Sequence, residues 1–136
     1  MEAHHAIDST RVYATGFSNG AVFTYLLWAH RAPKLAAIAE CAGRLWDTEH
    51  LNVARPFLAI AGQADRTLPF CSQEWSIEDA KQVNHATGPG QPLGTHCTKY
   101  PSTSMTPVVT CIHPGAHVIP PWAPAQIVAF FKAHSL

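Results

Sequence analysis

The sequence is poor in charge. Asp, Glu, Lys and Arg make up only 13% of its 136 residues, about half the share that is usual in globular domains. Nine basic residues balance nine acidic ones, so no net charge favours a nucleic acid or an anionic membrane as a partner. A surface with so little charge also favours self-association, because little repulsion keeps the molecules apart.

Long hydrophobic runs and recognisable targeting signals are also missing. No stretch is apolar for long enough to span a bilayer. Residues 1–5 lack the basic start and apolar core of an export signal, which leaves the localisation open, and the pair His4-His5 is expected to belong to a solvated terminus. No internal repeat or linker divides the chain, so we expect a single domain over residues 1–136.

Cysteine is scarce and follows no metal-binding pattern. The four cysteines include no Cys-x-x-Cys pair and are too few for a disulfide-dense scaffold. Cys97 and Cys111 flank a turn rich in Pro, Ser and Thr, so a hairpin could bring them together. Cys41 and Cys71 each follow an apolar run and could meet at one edge of a sheet. The spacing alone does not decide between paired and free thiols.

What the sequence does contain is a succession of apolar runs with the lengths of strands and helices. Strands are predicted over residues 11–15, 35–41, 57–61, 95–100 and 107–112. Helices are predicted over residues 19–30, from about 75 to 85 and from Pro124 onward, with a Gly/Pro-rich loop over 87–94. The strand runs do not alternate strictly, which is typical of a parallel sheet covered on both faces. We therefore expect an α/β domain, whose first helix is apolar nearly all round and buried on more than one side.

The most specific motif is Gly-x-Ser-x-Gly at residues 16–20, between the first predicted strand and the first predicted helix. On such a sharp turn the serine is lifted above the sheet and its hydroxyl is exposed, as nucleophilic catalysis requires. The turn is crowded, and Gly16 and Gly20 supply small residues on both sides. The backbone N–H of Asn19, at the helix start, would be one donor to an oxyanion. Ser18 is therefore the candidate nucleophile, although an ordinary strand–helix turn capped by a serine has the same pattern.

A serine hydroxyl needs a base, and the base needs a carboxylate that orients it. Asp65 follows the strand predicted over residues 57–61, so it lies at the same edge of a parallel sheet as the serine. Asp47 and Glu49 are rivals at that edge, but they follow the preceding strand. Asp65 is the preferred carboxylate.

Two histidines after the last predicted strand are candidates for the base. His117 follows Gly-Ala in a loop of small residues before the final helix, whereas His113 lies at the strand end and is followed by a proline. We prefer His117, because a flexible loop can bring it to the serine. The order along the chain is then Ser, Asp, His, which is the order of the α/β-hydrolases.

Three ordered segments resemble the polyhydroxybutyrate depolymerase and feruloyl esterase group of α/β-hydrolases: residues 11–20, 61–70 and 115–122. The resemblance extends over nearly the whole chain, but only over the C-terminal half of that group's fold. It implies a truncated α/β-hydrolase domain, with a mostly parallel sheet flanked by helices and without the first strands. It also implies hydrolysis of carboxylic esters through an acyl-enzyme, with the serine, aspartate and histidine named above as nucleophile, orienting acid and base, and with no metal or organic cofactor.

The same resemblance predicts that parts of the family's fold that precede the elbow are missing here. In the family a His-Gly-Gly type oxyanion loop precedes the elbow, but only about ten residues precede the elbow strand here. The second oxyanion donor therefore has no visible source, and we expect low turnover. The strand at residues 11–15 becomes a sheet edge with unpaired backbone groups. We therefore expect a homodimer or a larger homo-oligomer that covers this edge, with residues 1–9 contributing.

Two tryptophans bear on the substrate. Trp46 and Trp122 follow the second and the last strand, on the side of the candidate site, and could shape a pocket for an acyl or aromatic group. Partial burial in the core accounts for them equally well. Trp75, at a helix start, is less suited to this role. The expected substrates are short-chain or aromatic, feruloyl-type esters.

Three other functions fit parts of the sequence. A truncated hydrolase without activity could act as an oligomerising interaction module. A zinc site could use Cys97, Cys111, His113 and His117, although no Cys-x-x-Cys pair anchors it. A peptidase could use the same serine, histidine and aspartate, but nothing in the sequence favours an amine over an alcohol as the leaving group.

Overall fold

A six-stranded sheet organises the computed structural model, which describes residues 6–136. The pair His4-His5 and the rest of residues 1–5 lie outside the described part of the chain. The strands are β1 Tyr13–Phe17, β2 Ala37–Cys41, β3 Phe57–Gly62, β4 Gln91–Leu93, β5 Cys97–Tyr100 and β6 Val108–His113. The helices are α1 Asn19–Arg31, α2 Phe70–Val83 and α3 Ala123–Lys132.

The strand order places the carboxyl ends of four strands at one edge of the sheet. The order is β1-β2-β3-β6-β5-β4. The first three pairings, β1 with β2, β2 with β3 and β3 with β6, are parallel, and the last two are antiparallel. The predicted α/β class with a mostly parallel sheet is therefore confirmed. The residues that follow β1, β2, β3 and β6 meet at the carboxyl edge, where ligands of parallel sheets bind.

Two hydrophobic layers cover the two faces of the sheet. One layer, which contains α1 and α2 residues, includes the fully buried side chains of Tyr25, Trp28 and Phe57. The other layer includes Leu58 of β3 and Phe130 of α3. Every position of β2 and β3 is buried. This burial on both faces explains why their sequences are apolar without alternation.

Several predicted boundaries differ from those in the structure, most clearly at the first strand and at the second helix. The first strand begins at residue 13 instead of 11, because Ser9–Arg11 form a 3-10 turn capped by the side chain of Asp8. The strand also continues through the glycine at position 16 to Phe17. The helix predicted from about residue 75 begins at Phe70, directly after Pro69, which ends the preceding loop. Its first turn was not predicted, because it has no apolar periodicity.

The first helix is also less buried than predicted. Its buried residues, Ala21, Thr24, Tyr25 and Trp28, form one face that packs on the sheet. Phe23, on another side of α1, is 56% exposed. The apolar composition predicted burial on several sides, but among the described residues α1 is covered mainly by β1 and β2.

An antiparallel extension completes the far side of the sheet. β4 lies within the loop predicted over residues 87–94, and its three exposed residues pair with β5. Cys97 of β5 and Cys111 of β6 are register partners and form a disulfide. Cys41 and Cys71 are free thiols, the first buried and the second exposed. The hairpin pairing considered from the sequence is therefore present, and a bond between Cys41 and Cys71 is not.

Within residues 6–136, β1 forms the opposite edge of the sheet, as predicted, since β2 is its one neighbouring strand there. Val12 accepts a backbone bond from Ala36, and the N–H of Ser18 donates to Cys41. Because backbone groups alternate in direction along a strand, those of residues 13, 15 and 17 point away from β2. Within residues 6–136, no helix has the length and hydropathy that a membrane crossing requires.

Candidate active site

Ser18 lies in the sharp turn that joins β1 to α1. Its backbone angles, φ 56° and ψ −119°, are strained for a residue that has a side chain. The turn is tight, since a Cβ atom on Gly16 would lie 2.2 Å from the backbone carbonyl group of Gly20. A Cβ atom on Gly20 would meet nothing within 4 Å. The predicted need for a small residue therefore holds for Gly16 and not for Gly20.

The turn is fixed to its neighbouring strand by the backbone. The N–H of Ser18 donates to the carbonyl of Cys41 at 3.0 Å, and the N–H of Val22 donates to the carbonyl of Ser18 at 3.0 Å. The first bond ties the turn to the end of β2, and the second starts the helix. The Ser18 hydroxyl is thereby held at the carboxyl edge of the sheet.

His117 and Asp65 continue from the Ser18 hydroxyl in a chain of hydrogen bonds. The distance from Ser18 Oγ to His117 Nε2 is 2.8 Å. The distance from His117 Nδ1 to Asp65 Oδ2 is 2.7 Å. The ring of Phe17 packs against the imidazole, with centroids 4.9 Å apart. The structure thus brings together the three residues predicted as nucleophile, base and acid, from loops that follow β1, β6 and β3.

A glycine at the end of β3 lets the histidine loop approach. A Cβ atom on Gly62 would lie 2.5 Å from the carbonyl oxygens of Gly115 and Ala116. The two loops are also joined by backbone bonds, from Gln63 to the carbonyl of His113 at 2.9 Å and from Ala64 to that of Gly115 at 3.1 Å. This close contact positions the loop that carries His117 relative to the loop that carries the aspartate.

The carboxylate of Asp65 is fully buried but well supplied with donors. Oδ1 accepts the backbone N–H groups of Thr67 at 2.9 Å and Leu68 at 2.8 Å. Oδ2 accepts the side-chain amide of Gln73 at 3.0 Å in addition to the imidazole. Burial alone would raise the pKa of Asp65, but the bonds from His117, Leu68 and Thr67 outweigh it and hold the pKa below its usual value. The carboxylate is therefore ionised and held in one orientation at neutral pH.

Gln73 is a member of the site that the sequence analysis missed. Its side chain is fully buried in the first turns of α2, and its amide also donates to the carbonyl of Leu68 at 2.6 Å. The residue lies between the strand predicted over 57–61 and the helix predicted from about residue 75, where no element was predicted, so no sequence signal pointed to it. It connects α2 directly to the carboxylate of Asp65.

The first turn of α1 begins directly after the serine. Asn19 is the first residue of the helix, so its N–H is one of the helical donors without a partner inside the helix. The partial positive charge of a helix N-terminus favours an anion at this position. The predicted oxyanion donor therefore lies at the N-terminus of α1.

The rival residues have other partners. His113 is buried at the end of β6, where its Nδ1 accepts the N–H of Gly115 at 3.1 Å, and burial lowers the pKa of His113. Asp47 is exposed and forms an ion pair with Arg44 at 3.1 Å. Glu49 bonds to a histidine on α1 at 2.6 Å. None of these three side chains takes the place of a residue in the hydrogen-bonded chain.

The two predicted substrate tryptophans line separate cavities. Trp46, 49% exposed, lies under the guanidinium of Arg44 and beside a cavity of about 150 Å³ that Trp75 also lines. Trp122 stacks on His96 and lines a cavity of about 320 Å³ on the disulfide side of the sheet. The Ser18 side chain lines neither of these two cavities.

Two of the four residues considered as zinc ligands are not available to bind a metal. Cys97 and Cys111 are joined to each other, so neither thiolate is available to a metal. Within residues 6–136, no group of three or more His, Cys, Asp or Glu side chains is placed to hold a metal ion.

Known proteins that are similar to this chain include esterases. A bifunctional acetylxylan esterase/xylanase from Neocallimastix patriciarum is 30% identical over 86 residues, which is 62% of this chain and 13% of that protein. An acetyl xylan esterase from Aspergillus awamori superposes with a TM-score of 0.73 at 14% identity, over 96% of this chain and 62% of the other. SOBER1 from Arabidopsis thaliana superposes with a TM-score of 0.69 at 17% identity, over 97% and 57%. No protein-family model matches the sequence.

The chain therefore covers less than two thirds of each of these relatives. Structural similarity at such low identity establishes the fold. The strand order, the helices on both faces and the superpositions agree with the predicted truncated architecture. The chain has part of an α/β-hydrolase fold and is similar to the esterases of that class.

Proposed function

We propose that this chain is a serine carboxylic-ester hydrolase that acts through an acyl-enzyme. The observation that carries the proposal is the continuous chain of hydrogen bonds from Asp65 through His117 to the hydroxyl of Ser18. Its three members come from three loops and meet at a strained strand–helix turn. Such an arrangement activates a serine, because the imidazole can accept the hydroxyl proton while the carboxylate fixes its tautomer.

In the acylation step, Ser18 Oγ attacks the ester carbonyl carbon and its proton passes to His117 Nε2. The imidazolium that forms is stabilised by Asp65, which stays ionised. Collapse of the tetrahedral intermediate breaks the bond to the alkoxy oxygen, and the same proton goes to the leaving alcohol. The acyl group is then bound to Ser18 Oγ as an ester.

In the deacylation step, water takes the place of the alcohol. His117 Nε2 accepts a proton from the water, whose oxygen attacks the acyl carbon, and then returns the proton to Ser18 Oγ as the carboxylic acid leaves. In both steps the N–H of Asn19 would donate to the oxyanion. The described residues before β1 lie at the opposite end of that strand, so they offer no second donor at Ser18.

The substrates that we propose are esters of short-chain or aromatic, feruloyl-type acids. A small acetyl ester is the first choice, because both acetylxylan esterases among the similar proteins are named for acetyl groups. Trp46 is a candidate contact for a bulkier acyl or alcohol group, since its side chain is half exposed on the loop that follows β2. An amide is a poorer candidate, because nothing in the sequence favours an amine over an alcohol as the leaving group.

Hydrolysis of p-nitrophenyl acetate tests this proposal. Wild type should release p-nitrophenol faster than the Ser18→Ala variant, which should fall to the rate of the buffer. Asp65→Asn should lose on the order of 10³- to 10⁴-fold in kcat, because the imidazole then takes the wrong tautomer. Ser104→Ala, a change at an exposed serine in a turn, is the control and should match wild type. Equal rates for wild type and Ser18→Ala would reject the proposal.

The second candidate is a slow or inactive hydrolase that serves as an oligomerising module. The open backbone edge of β1 favours it, because unpaired strand edges associate with other strands. We propose that a second copy of the chain covers this edge, with or without catalysis. A single oxyanion donor would lower turnover by roughly a hundredfold to a thousandfold, so slow hydrolysis and dimerisation are compatible.

A further inference from the structure

Beneath the elbow, a carboxyl group is buried that the proposed reaction does not use. Glu40 of β2 is fully inaccessible to solvent. It is the register partner of Gly16, two residues before the serine. Its Oε2 accepts the N–H of Gly43 at 2.7 Å, whereas its Oε1 is buried without a partner in the described part of the chain. A buried carboxyl with one free oxygen is costly, so its presence at this position needs an explanation.

The carboxyl closes a turn that packs against α1. The turn runs from Glu40 to Gly43 and places Ala42 in the left-handed region, with φ 54°. Gly43 in turn lies against the first turn of α1, since a Cβ atom on Gly43 would be 2.4 Å from the Cβ of Ala21. Ala21 is fully buried three residues after Ser18. The glutamate thus contacts the elbow through one turn of backbone.

The surroundings of the carboxyl favour its uncharged form. Burial raises the pKa of Glu40 to about 8, and the bond from Gly43 reduces the rise only in part. The other titratable groups in this region are Tyr25 of α1, whose hydroxyl is buried without a described partner, and Cys41 on the neighbouring position of β2. Burial raises the pKa of both, and a charge on Glu40 raises it further.

More distant carboxylates add to the same effect. Asp79 of α2 raises the pKa of Tyr25, and Asp65 raises that of Cys41. All of these groups are acids. A proton lost from the pocket therefore leaves a negative charge close to the N-terminus of α1.

We propose that Glu40 is a positioning residue that holds the elbow in its working geometry while uncharged and impairs ester hydrolysis when it loses its proton. The role rests on the proposed function, since it acts through the nucleophile that Ser18 supplies. An anion in this position opposes the negative charge that develops on the substrate oxygen at the same helix end. It also disturbs the turn that packs on Ala21, because a buried charge draws water or rearranges its neighbours.

If this role is correct, two properties of the wild-type protein should change with pH at the same midpoint. The methyl resonance of Ala21, followed by ¹³C NMR with labelled alanine, should shift between pH 6 and 10 with a midpoint near the pKa of about 8. The kcat for p-nitrophenyl acetate, corrected with Ser18→Ala at each pH, should fall above that midpoint by at most about tenfold per pH unit and level off at the lower rate of the ionised form. KM should change little, because the charge acts on the transition state.

Glu40→Gln is the decisive variant. It keeps an oxygen acceptor for the N–H of Gly43 and cannot ionise, so both titrations should vanish and kcat should stay level to high pH. Glu78→Gln, at an exposed glutamate of α2, should leave both titrations as in wild type. An alkaline fall in kcat that survives in Glu40→Gln would overturn the inference.

Three further outcomes are informative. If Glu40→Gln does not fold, the two midpoints of the wild type must still coincide, and different midpoints would refute the role of Glu40. A wild type no faster than Ser18→Ala at any pH would reject the proposed function. An Ala21 methyl resonance that does not shift with pH in an active wild type would reject the role of Glu40 and leave the proposed function standing.

Discussion

At the scale of single residues, the two glycines of the elbow differ in what they do. The missing Cβ atom of Gly16 leaves room for the backbone of Gly20, which would otherwise lie 2.2 Å away. The missing Cβ atom of Gly20 leaves only open space. The same motif therefore contains one glycine that the fold requires and one that it does not.

Alanine substitutions separate the two glycines. Gly16→Ala should lower the free energy of unfolding by about 1–3 kcal/mol or more, because backbone must move to admit the methyl group. Gly20→Ala should leave it unchanged or raise it by up to about 1 kcal/mol, since alanine is the better helix former. Urea unfolding followed by fluorescence measures both. Equal losses for the two variants would contradict the described packing of the turn.

At the scale of elements, the disulfide joins the antiparallel extension to the parallel sheet. Cys97 and Cys111 pair across β5 and β6 and close a segment of 14 residues in sequence separation. Cys111 lies two residues before the end of β6, the strand that leads into the histidine loop. The bond therefore constrains the unfolded chain and supports the strand on which the histidine depends.

Removing this disulfide should weaken the fold without abolishing the sheet. The double variant Cys97→Ser/Cys111→Ser should lose about 3 kcal/mol in free energy of unfolding, the value expected for a loop of this length. A reducing agent should destabilise wild type by a similar amount and leave the double variant unaffected. Thiol titration of the unfolded, unreduced wild type should find Cys41 and Cys71 free; four reactive thiols would show that the bond is absent.

The helices and strands also show which parts of the fold can be predicted from local sequence patterns. The central strands and α1 were predictable, because their apolar runs are visible in the local sequence and a glycine or a proline marks the end of each. β4 was not, since Gln91–Leu93 is exposed and forms a strand only because β5 offers an edge. The start of α2 at Phe70 was not predicted, because the apolar residues of its first turn show no helical periodicity.

The same distinction holds at the candidate site. The serine, aspartate and histidine were predictable because each follows an apolar strand in a fixed order. Gln73 was not, since its contact with Asp65 depends on how α2 packs. Glu40 carried a signal that was overlooked, a single acid within an otherwise apolar strand.

At the scale of the whole molecule, β1 leaves one side of the sheet open. The outward backbone groups of residues 13, 15 and 17 have no strand beside them in the described structure. Thr15 is exposed, and Phe23 of the adjacent helix is 56% exposed. Low charge does little to prevent association at such an edge. The proposal that a second copy covers it follows from these features.

Sedimentation velocity tests the proposed assembly. The wild type should sediment as a dimer or larger species at micromolar concentration. Thr15→Lys should shift it toward the monomer, because a charge beside the edge resists burial in an interface. Ser104→Lys, at an exposed turn position far in sequence from β1, is the control. It should not change the distribution of sedimenting species. A wild type that stays monomeric would contradict the proposal.

The central claim is that Ser18 becomes acylated, and mass spectrometry of the trapped intermediate tests it most directly. The protein is mixed with p-nitrophenyl acetate, quenched in acid within the first turnovers and digested. The account predicts one added acetyl group on the peptide that contains Ser18, reduced in Asp65→Asn because the imidazole is then poorly oriented. An acetyl group found only on other residues, or ester hydrolysis that continues in Ser18→Ala, would contradict it.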